Sequence, residues 1–183
     1  MRKVCLILFI GLFVFENNVY SSDKILNSLK EGKKIIFIRH AIAPGNGDPD
    51  NFNINDCTTQ RNLSKNGIIQ SKNIGIFFEK NEIKIDKVLS SEWCRCKDTA
   101  KIAFKKFKTF NALNSFYDEK FAANESNQIE DLKKYIKKWD SDKNLVLVTH
   151  YVVISSILGI GSSSGEIIIS DKNLNIIGRV KII

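Results

Sequence analysis

Histidine, proline and methionine are all scarce in this chain of 183 residues, which holds two, two and one of them. Two histidines and four cysteines, with no pair at zinc-like spacing, leave a zinc site without a ligand set, and no metal or other cofactor is expected. Both prolines, Pro44 and Pro49, fall in one glycine-containing segment, which marks it as the long loop of the chain. Apolar runs are short: nothing after Phe15 approaches the roughly 20 residues that a spanning helix needs, so no integral membrane segment is expected beyond the amino terminus. Repeats and low-complexity linkers are absent. The net charge of +8 comes without a nucleic-acid reader motif. Lysines between 101 and 108 and between 133 and 138 alternate with apolar positions at helical spacing, as on a solvated face. Nucleic acid is therefore not expected as a partner, whereas anionic substrates or a phosphate-rich envelope surface suit the charge.

What is present points to one exported domain. Hydrophobic residues make up 43% of the chain and 12 are phenylalanine, enough for one core and short for two. Arg2-Lys3, the apolar stretch Val4 to Phe15 and the small residues after Val19-Tyr20 read as a secretory signal over 1–21, cleaved after Ser21, with the working domain over 22–183. The expected location is periplasmic or secreted. An oxidising compartment permits disulfides, and Cys57 can pair with Cys94 or with Cys96; those two are too close to join each other. One thiol is left over.

Each histidine follows an apolar run that reads as a buried strand: Ile35 to Ile38 leads into Arg39-His40, and Leu145 to Val148 into Thr149-His150. Groups just past the carboxyl ends of such strands line the ligand crevice of an open α/β sheet. The turn-rich loop from Pro44 to Arg61 leaves from the first histidine and is expected to cover the site. Ser64 is a candidate cap for a helix with Ile68, Ile69, Ile74, Phe77 and Phe78 as its buried stripe. A strand from Ile85 to Leu89 ends at Ser90-Ser91, and Ala100, Ala103 and Phe107 mark the helix after it, with Arg95 near its start. Ile129, Leu132, Ile136 and Trp139 give another amphipathic helix. Val152 to Leu158 reads as a buried helix whose amino end, a natural anion site, begins at His150. Glu166 to Ser170 and Leu174 to Ile183 should pair as a hairpin through Asp171-Lys172-Asn173.

Arg39, His40, Arg95 and His150 thus gather at the strand ends, with Arg61 on the covering loop. Guanidinium forks bind phosphate oxygens and keep their charge, and imidazole is both a nucleophile and a proton carrier near neutral pH. The blocks IFIRHA, QRNLSKNG with Gln70, LSSEWCRCKDTA and LVLVTHYVVISSILG, in this order, resemble the histidine phosphatase superfamily over nearly the whole mature chain. Ala41 stands where the best-known members have glycine. GNGDPDNF, NDCTTQRNLS and SSEWCRC look like an exported bacterial branch.

The resemblance implies a phosphoglycerate-mutase-like fold, a three-layer α/β/α sandwich with a central, mostly parallel sheet. It also implies a metal-independent phosphatase acting on a small phosphorylated substrate. His40 would become the phosphohistidine, while Arg39, Arg61, Arg95, His150 and Asn46 contact the substrate. Many members carry a proton donor between the second arginine and the second histidine; here the choice falls on Glu119, with Asp118 as its alternative. Other readings of the same residues are a phosphohistidine or phosphoramidate phosphatase and, from another class, a noncatalytic binder of phosphorylated envelope components.

Overall fold

The computed structural model describes residues 19–183. The proposed leader lies outside them, except for its last three positions: the first helix, α1 (Val19–Glu31), begins before the expected cleavage point. Six strands form one sheet: β1 (Ile35–Arg39), β2 (Ile85–Ser90), β3 (Lys108–Thr109), β4 (Asn144–Thr149), β5 (Ile167–Ser170) and β6 (Ile176–Val180). Their order is β3-β2-β4-β1-β5-β6, with β3, β2, β4 and β1 parallel and the β5–β6 hairpin antiparallel at one side.

The central strands carry the simplest sequence logic. Residues 35–38 and 145–148 are buried on both faces, and their β-branched, aliphatic and aromatic side chains fit a pleated surface covered twice. Alternation then divides the core. Ile35 and Phe37 point to a layer with α5 (Glu125–Lys138) and α6 (Tyr151–Leu158). Ile36 and Ile38 point to the opposite layer, with α1, α2 (Lys65–Lys80) and α3 (Cys94–Phe104). The three-layer, mostly parallel architecture is as expected. One short helix, α4 (Glu119–Ala122), precedes α5.

Two details differ from expectation. Ser64 does cap α2, its hydroxyl accepting from the Gly67 amide at 3.1 Å, yet Ile68 and Ile69 face solvent. The buried stripe is Gly67, Gln70, Ser71, Ile74 and Phe78. A methyl group on Gly67 would lie 2.1 Å from the Ile42 carbonyl oxygen, so α2 meets the chain after β1 through its smallest residue, and that contact sets the helix's rotation. Phe107 lies beyond the end of α3 and packs from outside the helix.

Candidate active site

β1 and β4 are parallel neighbours in register, with Arg39 opposite Thr149, so both histidines emerge together at their carboxyl ends. The His40 amide donates to the Thr149 carbonyl at 2.9 Å, and the two imidazole centroids are 5.4 Å apart. β2 lies on the other side of β4 and ends at Ser90; after it, Arg95 occupies the first turn of α3. His150 is the residue before α6, whose opening residues Tyr151 and Val152 reach the same cavity. The first amides of a helix lack partners within it and favour anions.

The cavity measures about 220 Å³, small beside the roughly 300–1,000 Å³ of common ligand pockets. Arg39, His40, Arg61, Arg95 and His150 line it. Both imidazoles are buried, whereas the lining residues Asn46, Tyr117 and Tyr151 are exposed and form the rim. Every expected arginine, both histidines and Asn46 are therefore brought together. Glu119 is not: it opens α4 on the outer surface, and Asp118, one residue earlier, lines the cavity in its place. The turn into the helix allows one of the two adjacent carboxyls to reach the cavity. The Asp118 carboxylate has no hydrogen-bond or ion-pair partner among the described residues and lies across from Gly47 of the covering loop.

Hydrogen bonding settles the state of His40. Its Nδ1 is 2.9 Å from the Ala41 carbonyl, which can only accept, so Nδ1 carries the proton and Nε2 keeps its lone pair. Burial, followed by the positive charges of Arg95, Arg39 and Arg61, lowers the His40 pKa to about 3 against the opposing Ala41 bond. Burial and the same arginines hold His150 well below the ordinary histidine value. Both rings are thus neutral at neutral pH. His150 Nε2 is 2.8 Å from the Ser91 hydroxyl and 3.4 Å from Cys96 Sγ. Burial pushes the Cys96 thiol up to about 12, so it stays protonated.

Two buried carboxylates that sequence reading did not single out position the arginines. Asp48, on the covering loop, has a side chain only 1% exposed. It accepts from Arg95 NH1 at 2.8 and 3.1 Å, from the Arg61 amide at 3.0 Å and from the Trp93 indole at 2.9 Å. Burial alone would raise its pKa; these donors outweigh burial and lower it. Arg61 is held further by the Gly47 and Ala43 carbonyls.

On the opposite side, buried Glu166 receives Arg179 Nε and NH2, each at 2.9 Å, and the Ser163 amide at 2.7 Å. The loop so fixed presents the Ser162 carbonyl to Arg39 NH1 at 2.6 Å. Gly165, at φ +70, donates its amide to both Arg39 and His40 carbonyls. Arg39 Nε and Arg95 Nε are buried and have no partner among the described residues, as donors awaiting an anionic ligand would be. Three guanidiniums outnumber the two carboxylates that line the cavity, Asp48 and Asp118, and leave the site positively charged. No group of three or more metal-ligating side chains occurs among the described residues.

The covering loop is fastened twice more. Cys57 is bonded to Cys94, the first residue of α3, which ties the loop beside Arg95 and leaves Cys96 as the free, buried thiol among the described residues. Phe52 of the loop stacks on Trp93, with ring centroids 5.1 Å apart, and Phe121 of α4 packs edge-on against both. No helix among the described residues is long and apolar enough to cross a membrane.

The six-strand central sheet flanked by helices on both faces matches the phosphoglycerate-mutase-like fold, and solved structures bear the fold out. The chain is similar to the protein histidine phosphatase SixA complexed with tungstate, with a TM-score of 0.59 and 13% identity, over 78% of this chain and 92% of that one. It is also similar to an alpha-ribazole phosphatase from Shigella flexneri, with a TM-score of 0.55 and 16% identity, over 74% and 89%. A phosphoserine phosphatase mutant from Entamoeba histolytica, in complex with phosphoserine, gives a TM-score of 0.54 and 22% identity, over 74% and 89%. These structural neighbours are histidine phosphatase superfamily members. At such identities the likeness establishes the fold. No protein-family model matches the chain, and no curated protein matches it by sequence.

Proposed function

We propose that the protein is a metal-independent phosphatase that hydrolyses a phosphomonoester through a phosphohistidine on His40. The observation that carries this reading is the His40 tautomer: an unprotonated Nε2 in a cavity walled by three guanidiniums. Nε2 attacks phosphorus as the bond to the leaving oxygen breaks, and the Asp118 carboxyl gives that oxygen its proton. Water then attacks the phosphohistidine, its proton passes to Asp118, and the N–P bond breaks to release phosphate. Arg39, Arg61 and Arg95 hold the phosphoryl oxygens throughout and supply the positive charge at the transition state. Ser91 Oγ, 2.8 Å from His150 Nε2, holds the His150 ring in place at the cavity wall. Asn46 contacts the leaving group at the rim.

The Cys57–Cys94 disulfide and the leader-like amino terminus support export, and with it a phosphorylated envelope or periplasmic substrate. A second reading, phosphoramidate or phosphohistidine hydrolysis, is favoured by the likeness to SixA. An N–P bond with a good leaving group needs no acid of Asp118's kind. The test is turnover of an aryl and an alkyl phosphate in chelator, for wild type, His40→Ala and Asp118→Asn. Chelator-resistant turnover that His40→Ala abolishes is expected, with Asp118→Asn slowing the alkyl ester about 100-fold and the aryl ester little. Undiminished turnover in His40→Ala would sink the phosphohistidine. Equal retention of both esters in Asp118→Asn would remove the acid and favour the phosphoramidate reading.

A further inference from the structure

We propose that the outer face of α2 docks the protein on an anionic lipid surface. Ile68, Ile69 and Ile76 are 40%, 54% and 55% exposed, an unusual concentration of bare isoleucine on one helix. Ile69 and Ile42 line a mainly apolar cleft of about 420 Å³, with Lys181 and Ile182 on its other side. Ile76 extends the patch two turns along from Ile69.

Lysines are interleaved with these isoleucines. Lys72 and Lys80 share the stripe of Ile69 and Ile76 at helical spacing, and Lys65 opens the helix beside it. Glu79 is the only acidic residue of α2. All four lysines, Lys181 included, are exposed and have no ion-pair partner among the described residues.

Charge decides the occupant. A second copy docked through this face would set lysines against lysines on a chain already at +8. A bilayer rich in anionic headgroups offers phosphates to the ammoniums and an acyl boundary to the isoleucines, the pattern of an interfacial helix. Ile42 lies two residues past His40, so docking brings the segment that carries the candidate nucleophile to the lipid. The inference does not depend on the phosphatase reading.

The test is the full chain carrying Ile76→Trp, mixed with vesicles whose phosphatidylglycerol or phosphatidylcholine acyl chains are brominated. Trp93 and Trp139 are buried and give a constant background. A tryptophan at 76 reports its own contact with lipid, whatever the amino-terminal segment does. Quenching by phosphatidylglycerol vesicles alone is expected, weakened by salt. Adding Lys72→Gln and Lys80→Gln should weaken apparent affinity about 30-fold, from roughly 1 kcal/mol per lysine near a charged surface. Flotation of Ile69→Ser/Ile76→Ser beside wild type reads the same face without the probe, and reduced recovery is expected. No quenching, equal quenching by both lipids, undiminished flotation of the serine variant, or doubling of mass without lipid would each overturn the proposal.

Discussion

Replacing Asp48 by Asn keeps the shape of the clasp and removes its charge. Arg95 is then buried without a counter-ion. The amide can still accept from one or two of its former donors, but its NH2 group must face a third. Breaking a buried ion pair from one side costs about 3–5 kcal/mol; with the amide retaining part of the bonding, the lower figure applies. For a domain of this size 1 kcal/mol moves the melting temperature by about 2–4 °C, so Asp48→Asn should melt about 6–12 °C below wild type. Differential scanning calorimetry reads this directly. Inorganic phosphate supplies the missing negative charge, so saturating phosphate should raise the variant's melting point by more than it raises the wild type's. A loss under 2 °C, or an equal phosphate effect on both proteins, would refute the assignment of Asp48 as the counter-ion that shapes the pocket.

Acid should loosen the fold through His40. The unfolded chain takes up a proton below about 6.5 while the folded ring resists until about 3, so stability falls as pH drops between those values, by about 2 kcal/mol at pH 5. Urea midpoints at pH 7 and 5 should show this for wild type and a smaller drop for His40→Asn; parallel drops would count against it. Reducing Cys57–Cys94, separated by 37 positions, should cost about 4 kcal/mol in loop entropy and weaken phosphate binding. Equal activity before and after reduction, in protein first shown to be oxidised, would contradict the pocket role. Glu166→Gln should raise the inhibition constant for phosphate about tenfold through a loosened Arg39. A core variant such as Leu132→Ala should lower the melting point without that change; identical phosphate affinity in Glu166→Gln would reduce Glu166 to a structural role.

The strands beside the site were readable because residues 35–38 and 145–148 leave no polar choice: only a strand covered on both faces can bury them. Once those strands stand side by side, their terminal histidines meet, and Arg95 follows from the short turn after Ser91. Long-range polar pairing was not readable. Asp48 looks like an ordinary turn aspartate until the path of the loop sets it against Arg95, 47 positions away. Glu166 and Arg179 join only through the hairpin register. Helix rotation escaped as well: Ile68 and Ile69 outweigh Gly67 and Gln70 in any hydrophobic pattern. The backbone contact at Gly67 and the bond from the Ile42 amide to Gln70 nonetheless turn the isoleucines outward. Choosing between Asp118 and Glu119 required knowing where α4 begins.

The three guanidiniums that make the cavity receptive to a phosphoryl group do not distinguish esterified phosphate from the free ion. Groups that grip substrate and product alike deepen both wells equally and leave the height between them unchanged. In the proposed reaction, released phosphate would compete with substrate for the same three guanidiniums. Turnover would then fall as ambient phosphate rises and recover where the ion is scarce.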